Sequence, residues 1–314
     1  MSVVAACSLL EGILIGADCR VTFRQPGRED IFVDNCLKLF EIGGSSAIGF
    51  VGFVPLASQM LRTMLSQMPN HRTDPVSLHD WLPRLFRYEF SKFSQTPKAQ
   101  ISFLVGSTIP SHGNIIERQA VVDLVNYMFF SKDRKIKSGW FDAKIIGLLN
   151  TPQDAELIGI QAPRNLLYRL DSPDFIPRRY MPLKFVAIGS GEKLKEKIAS
   201  IREMIFAAHV GNYHMEAMWL CTAMESFLKE VDEQTVGGLF PMMKLEWGRV
   251  MRLGQNSKGY FPGGYDIRLE PMEDGSWVQK NLVTGKEIFL IPPWEIEEPS
   301  RSMKFDDFRY GMFG

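Results

Sequence analysis

The chain has 314 residues, enough to bury one large hydrophobic core or two modest ones. With 45% hydrophobic and 23% charged residues it has the composition of an ordinary globular protein. Its 36 basic and 36 acidic side chains cancel, which argues against a nucleic-acid partner, because displacing phosphate counterions takes a surplus of cations.

The opening, MSVVAACSLLEGILIGAD, lacks the basic stretch of a secretory signal. Asp18 and Arg20 end its apolar run well short of the roughly 20 residues a membrane helix needs, so no membrane is expected. Ser2 to Ser8 reads as a β-favouring run, Glu11-Gly12 as a turn, and Ile13 to Ala17 as the returning strand of a hairpin. Residues 22–30 (TFRQPGRED) are polar and read as a loop. Two strands are predicted at Lys38 to Ile42 and Ala47 to Val51, split by Gly43-Gly44-Ser45-Ser46. Leu56, Met60, Leu61, Met64 and Leu65 then give Val54 to Met68 the spacing of an amphipathic helix, and a second helix is expected over Leu78 to Phe93.

Ile101 to Val105 looks like a buried strand. Between residues 107 and 160, strand-like pieces surround a basic loop, SKDRKIKSG, and this stretch reads as an insertion. Lys184 to Ile188 is a short apolar strand broken by Gly189-Ser190-Gly191. Helices are predicted over Lys193 to Ala208 and Met215 to Val231, and a strand over Met242 to Trp247. The chain thus divides into a core over residues 1–250 and a C-terminal extension over 251–314. The extension is rich in Gly, Pro and aromatics and is expected to pack on the core or on a neighbouring subunit. Strands followed by paired helices and then strands suggest sheets covered by helices.

The four cysteines (Cys7, Cys19, Cys36, Cys221) form no C-x-x-C pair and read as buried thiols in a reducing cytoplasm. His209 and His214 lie close in sequence, but no Cys or carboxylate cluster with ligand spacing accompanies them, and no metal is expected. Gly43-Gly44 is followed by a strand and lacks the Lys-Ser/Thr of a phosphate loop, so no nucleotide cofactor is expected either. Strand alternation puts Cys36, Lys38 and Phe40 on one face, so Lys38 would point inward and need a charged partner; Asp18 is the natural candidate.

Five segments in order carry a resemblance to the proteasome-like N-terminal-nucleophile (Ntn) hydrolases. SVVAACSLLEGILIGADCRVT resembles the opening of a proteasome β-type subunit, and the interval from Ser2 to Asp18 (18 − 2 = 16 residues) is the family's interval from nucleophile to aspartate. NCLKLFEIGGSSAIGFVG resembles the lysine-bearing strand and places Lys38 at the lysine position. APRNLLYRLDSP resembles the Leu-Tyr-x-x-Asp-Pro piece, with Ser172 inserted before Pro173. FVAIGSGEKLKE carries the Ala-Ile-Gly-Ser-Gly hallmark with Ser190, and VDEQTVGGLFPMMKLEW resembles the Asp-x-x-Ser-Gly-Gly segment. In the last of these, aligning the glycines puts Glu233 at the acid position, whereas Asp232 fits only with one inserted residue.

The resemblance implies an α+β fold, a four-layer αββα sandwich. It also implies an amide or peptide hydrolase, a homologue of threonine-type peptidases with Ser2 as nucleophile. The base would be the Ser2 α-amine, whose ordinary pKa is about 7.7 to 8.0, so Met1 must be removed. Lys38 would lower the pKa of the amine and the hydroxyl, and Asp18 would orient Lys38. Ser190 with Asp232 or Glu233 would complete the network, and the Gly52 N–H would stabilise the oxyanion. A homo-oligomeric ring or open-ring stack is implied, with an ATPase partner left open. Two alternatives stand beside this reading, an inactive structural subunit of a proteasome-like assembly and a small-molecule amidase of the same fold.

Overall fold

The computed structural model describes residues 2–8, 12–23, 29–68, 75–93, 100–108, 165–180, 184–201, 227, 236, 240–246, 248–253, 255–256, 267–272, 276–281 and 285–296. They form a mixed α+β structure with several sheets.

The expected hairpin is present as β1 (Val3–Ser8) and β2 (Gly12–Ala17), paired with Val4 opposite Ala17 and Ser8 opposite Ile13. It does not stand alone. Strand β10 (Lys184–Gly189) flanks β1, and β11 (Met242–Glu246) with β12 (Arg249–Leu253) continues beyond β2, giving the order β10-β1-β2-β11-β12. Every residue of β1 and β2 is buried, which is why the opening reads as a continuous apolar run.

A second antiparallel sheet has the order β5 (Leu39–Ile42), β6 (Ser46–Gly52), β7 (Ile101–Thr108), β8 (Asn165–Asp171), β9 (Arg178–Tyr180). β7 runs through Ser107 and Thr108, two residues into the stretch read as an insertion. The two sheets approach closely where glycines remove side chains. A Cβ on Gly49 would lie 2.7 Å from Val4 Cγ1, and one on Gly106 would lie 3.1 Å from Ile13 Cγ2. Val4, Ala6, Ile13 and Ile15 share a core with Ile48, Phe50, Leu104 and Val105.

Helices α1 (Val54–Gln67) and α2 (Pro75–Lys92) belong to this same core through Leu56, Met60, Leu61, Met64, Leu78, Leu82 and Phe86. α2 begins three residues before the expected Leu78, at Pro75, a residue suited to the first helical turn because it lacks the N–H left unpaired there. Phe86 packs on Phe103 at 4.3 Å and edge-on against Phe175 at 5.9 Å, fixing α2 to the sheet. The opposite face of β1 carries Val3, Ala5 and Cys7, which join a second cluster with Phe185, Ile201, Phe227 and Met242. Ile201 and Phe227 are helical positions within the two predicted helices.

Besides β8, which only the family resemblance marks, four described strands escape the sequence pattern in the core region. β3 (Val21–Phe23) and β4 (Ile31–Val33) are three-residue strands at the two ends of the polar loop, too short to show a period. β9 is equally short and charged, and β12 alternates only weakly.

The extension holds a further antiparallel sheet, β13 (Gln255–Asn256), β14 (Ile267–Pro271), β15 (Trp277–Asn281) and β16 (Glu287–Leu290). Its Leu269, Trp277 and Leu290 enter the large core. Beyond β16, Ile291 exchanges backbone hydrogen bonds with Asn35 (2.8 Å) and Leu37 (2.7 Å), and Trp294 stacks on Phe40 at 5.6 Å. Arg252 on β12 pairs with Glu41 on β5 at 2.7 Å, joining the edge strands of the two five-stranded sheets. No described helix is long and apolar enough to cross a membrane.

Candidate active site

Ser2 lies at the head of β1, Asp18 one residue past β2, and Lys38 one residue before β5, so a strand end from each region delivers one side chain. The hairpin register brings Asp18 back beside the start of β1: the Asp18 N–H donates to Val3 O at 3.1 Å, and the Val3 N–H donates to Asp18 Oδ1 at 2.9 Å. The Arg20 N–H donates to the other carboxylate oxygen at 3.1 Å.

Lys38 enters this arrangement from the second sheet. Its Nζ donates to Ser2 Oγ at 2.8 Å, to Asp18 Oδ2 at 3.0 Å and to the backbone carbonyl of Arg20. An ammonium has three N–H donors and no acceptor, and here each donor has its own acceptor. Lys38 and Asp18 are both fully buried, and Ser2 is nearly so. Burial pushes the Asp18 carboxyl above its ordinary 3.8, while Lys38 and the Val3 and Arg20 N–H groups pull it back.

Ser190 opens a 3₁₀ turn (Ser190–Lys193) directly after β10. Because β10 flanks β1, with Gly189 opposite Val3, the Ser190 N–H reaches Ser2 O at 3.0 Å. Glycine is required just before it. Gly189 has φ +73°, and a Cβ there would lie 2.1 Å from Ser2 O. Ser2, Asp18, Lys38 and Ser190 therefore converge at one end of the two facing sheets.

Gly52 ends β6 next to Val51, whose Cγ1 lies 3.2 Å from a Cβ built on Gly189, so it borders the Ser2 segment. Its φ of +117° and a 2.2 Å approach to Gln100 O demand glycine on structural grounds alone. Asp232 and Glu233 lie outside the described residues. The nearest described position in that segment is Val236, buried, whose carbonyl accepts from Arg20 Nη1 at 3.4 Å.

Two residues of this neighbourhood, Arg20 and Asp34, are not among the site candidates that the sequence offers. Arg20 belongs to the Ala-Asp-x-Arg run, but nothing in the pattern identified its partner Asp34, which lies 14 residues away and pairs with it through Nε at 2.5 Å and Nη2 at 2.7 Å.

The buried thiols nearby are not competing nucleophiles. Burial, reinforced by the Asp18 charge, pushes Cys19 well above its ordinary value, and burial pushes Cys36 up to about 12. Both remain protonated near neutral pH, whereas the nucleophilic form of cysteine is the thiolate. Among the described residues there is no group of three His, Cys, Asp or Glu side chains that could hold a metal ion.

Chemically, the arrangement offers a buried hydroxyl that accepts a hydrogen bond from a cation. Such a contact favours the oxyanion form of the serine. Since Lys38 uses all three protons as a donor, another group must take the serine proton. No protein-family model matches this chain, and no curated protein is significantly similar to it.

Proposed function

We propose that the chain is a proteasome-like Ntn hydrolase that cleaves amide bonds, with Ser2 as the nucleophile once Met1 has been removed. The observation that carries this reading is the buried Lys38 ammonium shared between Ser2 Oγ at 2.8 Å and Asp18 Oδ2 at 3.0 Å. A lysine sealed in a core needs a partner, and Asp18 supplies it. A serine hydroxyl as a further acceptor adds nothing that charge balance requires. It is what activation of that hydroxyl calls for.

Two facing sheets, α1 and α2 beside one of them, and helical positions against the other are compatible with the four-layer αββα sandwich proposed for this fold. In the reaction, the free α-amine of Ser2 takes the proton from Oγ as Oγ attacks the substrate carbonyl carbon. The resulting oxyanion is held by backbone N–H groups, for which Gly52 is the proposed donor. Collapse breaks the C–N bond, and the protonated α-amine returns the proton to the departing amine. Water, deprotonated by the same α-amine, then attacks the acyl-Ser2 ester; the C–Oγ bond breaks and the ammonium returns its proton to Oγ, restoring the free amine and hydroxyl. Lys38 stays charged throughout and stabilises developing negative charge on Oγ.

Assembly into a homo-oligomeric ring or open-ring stack in the cytoplasm belongs to the same proposal. The test is intact mass of the untagged protein followed by peptide cleavage. Loss of Met1 together with cleavage that Ser2→Ala abolishes, while assembly persists, supports the reading. Quantitative retention of Met1 leaves the amine acylated and unable to act as base, which overturns it in favour of a structural role.

A further inference from the structure

The Lys38 ammonium donates to a backbone carbonyl, that of Arg20, as well as to two side chains. The Arg20 N–H meanwhile donates to Asp18 Oδ2 at 3.1 Å. A single residue's main chain thus contacts both charged members of the site. Main-chain groups hold position only as well as the segment carrying them is fixed.

The β3–β4 ladder, with Val21 opposite Val33, holds the next residues, and the Arg20 side chain adds an oriented tie at Arg20 itself. Its guanidinium grips Asp34 in a two-point fork, 2.5 Å from Nε to Oδ1 and 2.7 Å from Nη2 to Oδ2. Planar guanidinium and carboxylate groups match in this geometry, which sets orientation as well as distance. Nη1 reaches Val236 O at 3.4 Å, and the guanidinium carbon sits 5.2 Å from the Phe32 ring centroid. The Cys36 N–H donates to Cys19 O at 3.0 Å, a second tie between the same two segments. Asp34 precedes Lys38 by four residues, so the fork ties the segment bearing Asp18 to the segment bearing Lys38.

We propose that Arg20 and Asp34 are a positioning pair, which sets the distance between Lys38 and Ser2 Oγ by holding the Arg20 main chain in place. The inference rests on the proposed role of Ser2 and extends it. Arg20 and Asp34 touch neither substrate nor the attacking oxygen, and they act through Lys38. Among the described residues, the titratable groups that feel the Lys38 charge are Asp18, Cys19 and Cys36, and both thiols are neutral near pH 7.

The experiment uses full-length, Met1-free protein carrying Asp34→Asn, Asp34→Glu or Arg20→Lys. A β-lactone probe, whose ring opens on a nucleophilic hydroxyl, reports Ser2 acylation by mass, and its rate is followed against pH. NMR of the lysine ammonium groups follows Lys38 directly, and thermal unfolding is recorded in parallel. Asp34→Asn is expected to slow acylation at least tenfold and move the pH of half-maximal rate upward, since a displaced ammonium no longer lowers the pKa of the serine and its amine. Asp34→Glu should recover part of the rate. Arg20→Lys keeps the charge but loses the fork, and should resemble Asp34→Asn.

A pair that matters only for stability would lower the unfolding temperature and leave the pH midpoint and the Lys38 resonance unchanged, and that outcome overturns the inference. If wild type is not acylated at any pH, the proposed function fails. The Lys38 resonance then decides the pair alone: a shift in Asp34→Asn supports it and an unchanged signal refutes it. Should Asp34→Asn not fold, Arg20→Lys carries the same comparison.

Discussion

Lys38 and Asp18 are fully buried and 3.0 Å apart, with the carboxylate further held by two backbone N–H donors. Taking two charges out of water is costly, and a buried pair is only weak evidence of stabilisation relative to an apolar core. Breaking such a pair is another matter, because the remaining charge stays buried. Lys38→Met should therefore cost about 3 to 5 kcal/mol in urea unfolding, with Asp18→Asn in the same chain restoring part of it. A loss well under 1 kcal/mol would mean that water reaches Asp18 and that the site is open. The same reasoning separates this pair from Arg84 and Asp80 on the exposed surface of α2, whose removal should be nearly silent.

At the scale of elements, α2 is joined to the second sheet by aromatic packing and by polar ties, Arg87 to the carbonyl of Asp174 among them. His79 lies edge-on to Tyr168 at 5.0 Å and accepts a hydrogen bond from Arg179 Nε at 3.0 Å. Only a neutral imidazole can accept there. Burial first, and the Arg179 charge second, hold the His79 pKa below its ordinary 6.5, with Asp80 pulling the other way. The folded state then binds fewer protons than the unfolded chain at and below pH 6.5, so stability from this contact is present above 6.5 and lost as pH falls through the depressed value. Wild type should lose stability on acidification relative to His79→Gln, with the gap widening below pH 6.5 in urea midpoints. Equal pH slopes for the two proteins would show that the imidazole is not held neutral.

For the whole molecule, the placement of the C-terminal sheet matters most. Trp277 is fully buried in the same core as β1, β6 and α1, and Trp294 stacks on Phe40 beside the Lys38 segment. The extension therefore shares the core instead of forming a separate one. Trp277→Ala should cost about 3 to 5 kcal/mol, the range for large aromatic truncations in cores. Unfolding should shift as one transition, followed by circular dichroism and by fluorescence together. Two separated transitions, with only one shifted, would mean that the extension folds independently.

Much of the core was readable because its signals are local. The hairpin over Ser2 to Ala17 and the helix from Val54 show apolar runs or helical spacing that nearest neighbours dictate. β3, β4 and β9 were not legible, because three residues cannot display a period and their pairing is set by the elements beside them. β14 to β16 were hidden by the Gly and Pro around them, and Trp277, Val278 and Gln279 are all buried, so no alternation marks β15. For the site, the sequence, through its family resemblance, offered Ser2, Asp18, Lys38, Ser190, Gly52 and Asp232 or Glu233 as candidates, and strand alternation alone the need of an inward lysine for a carboxylate partner. Only the tertiary structure decided that Lys38 divides its three protons among Ser2, Asp18 and the Arg20 carbonyl, and that Asp34 grips Arg20. Those contacts join residues 14 to 36 positions apart, and strand register and the facing of two sheets set them, which no local pattern records.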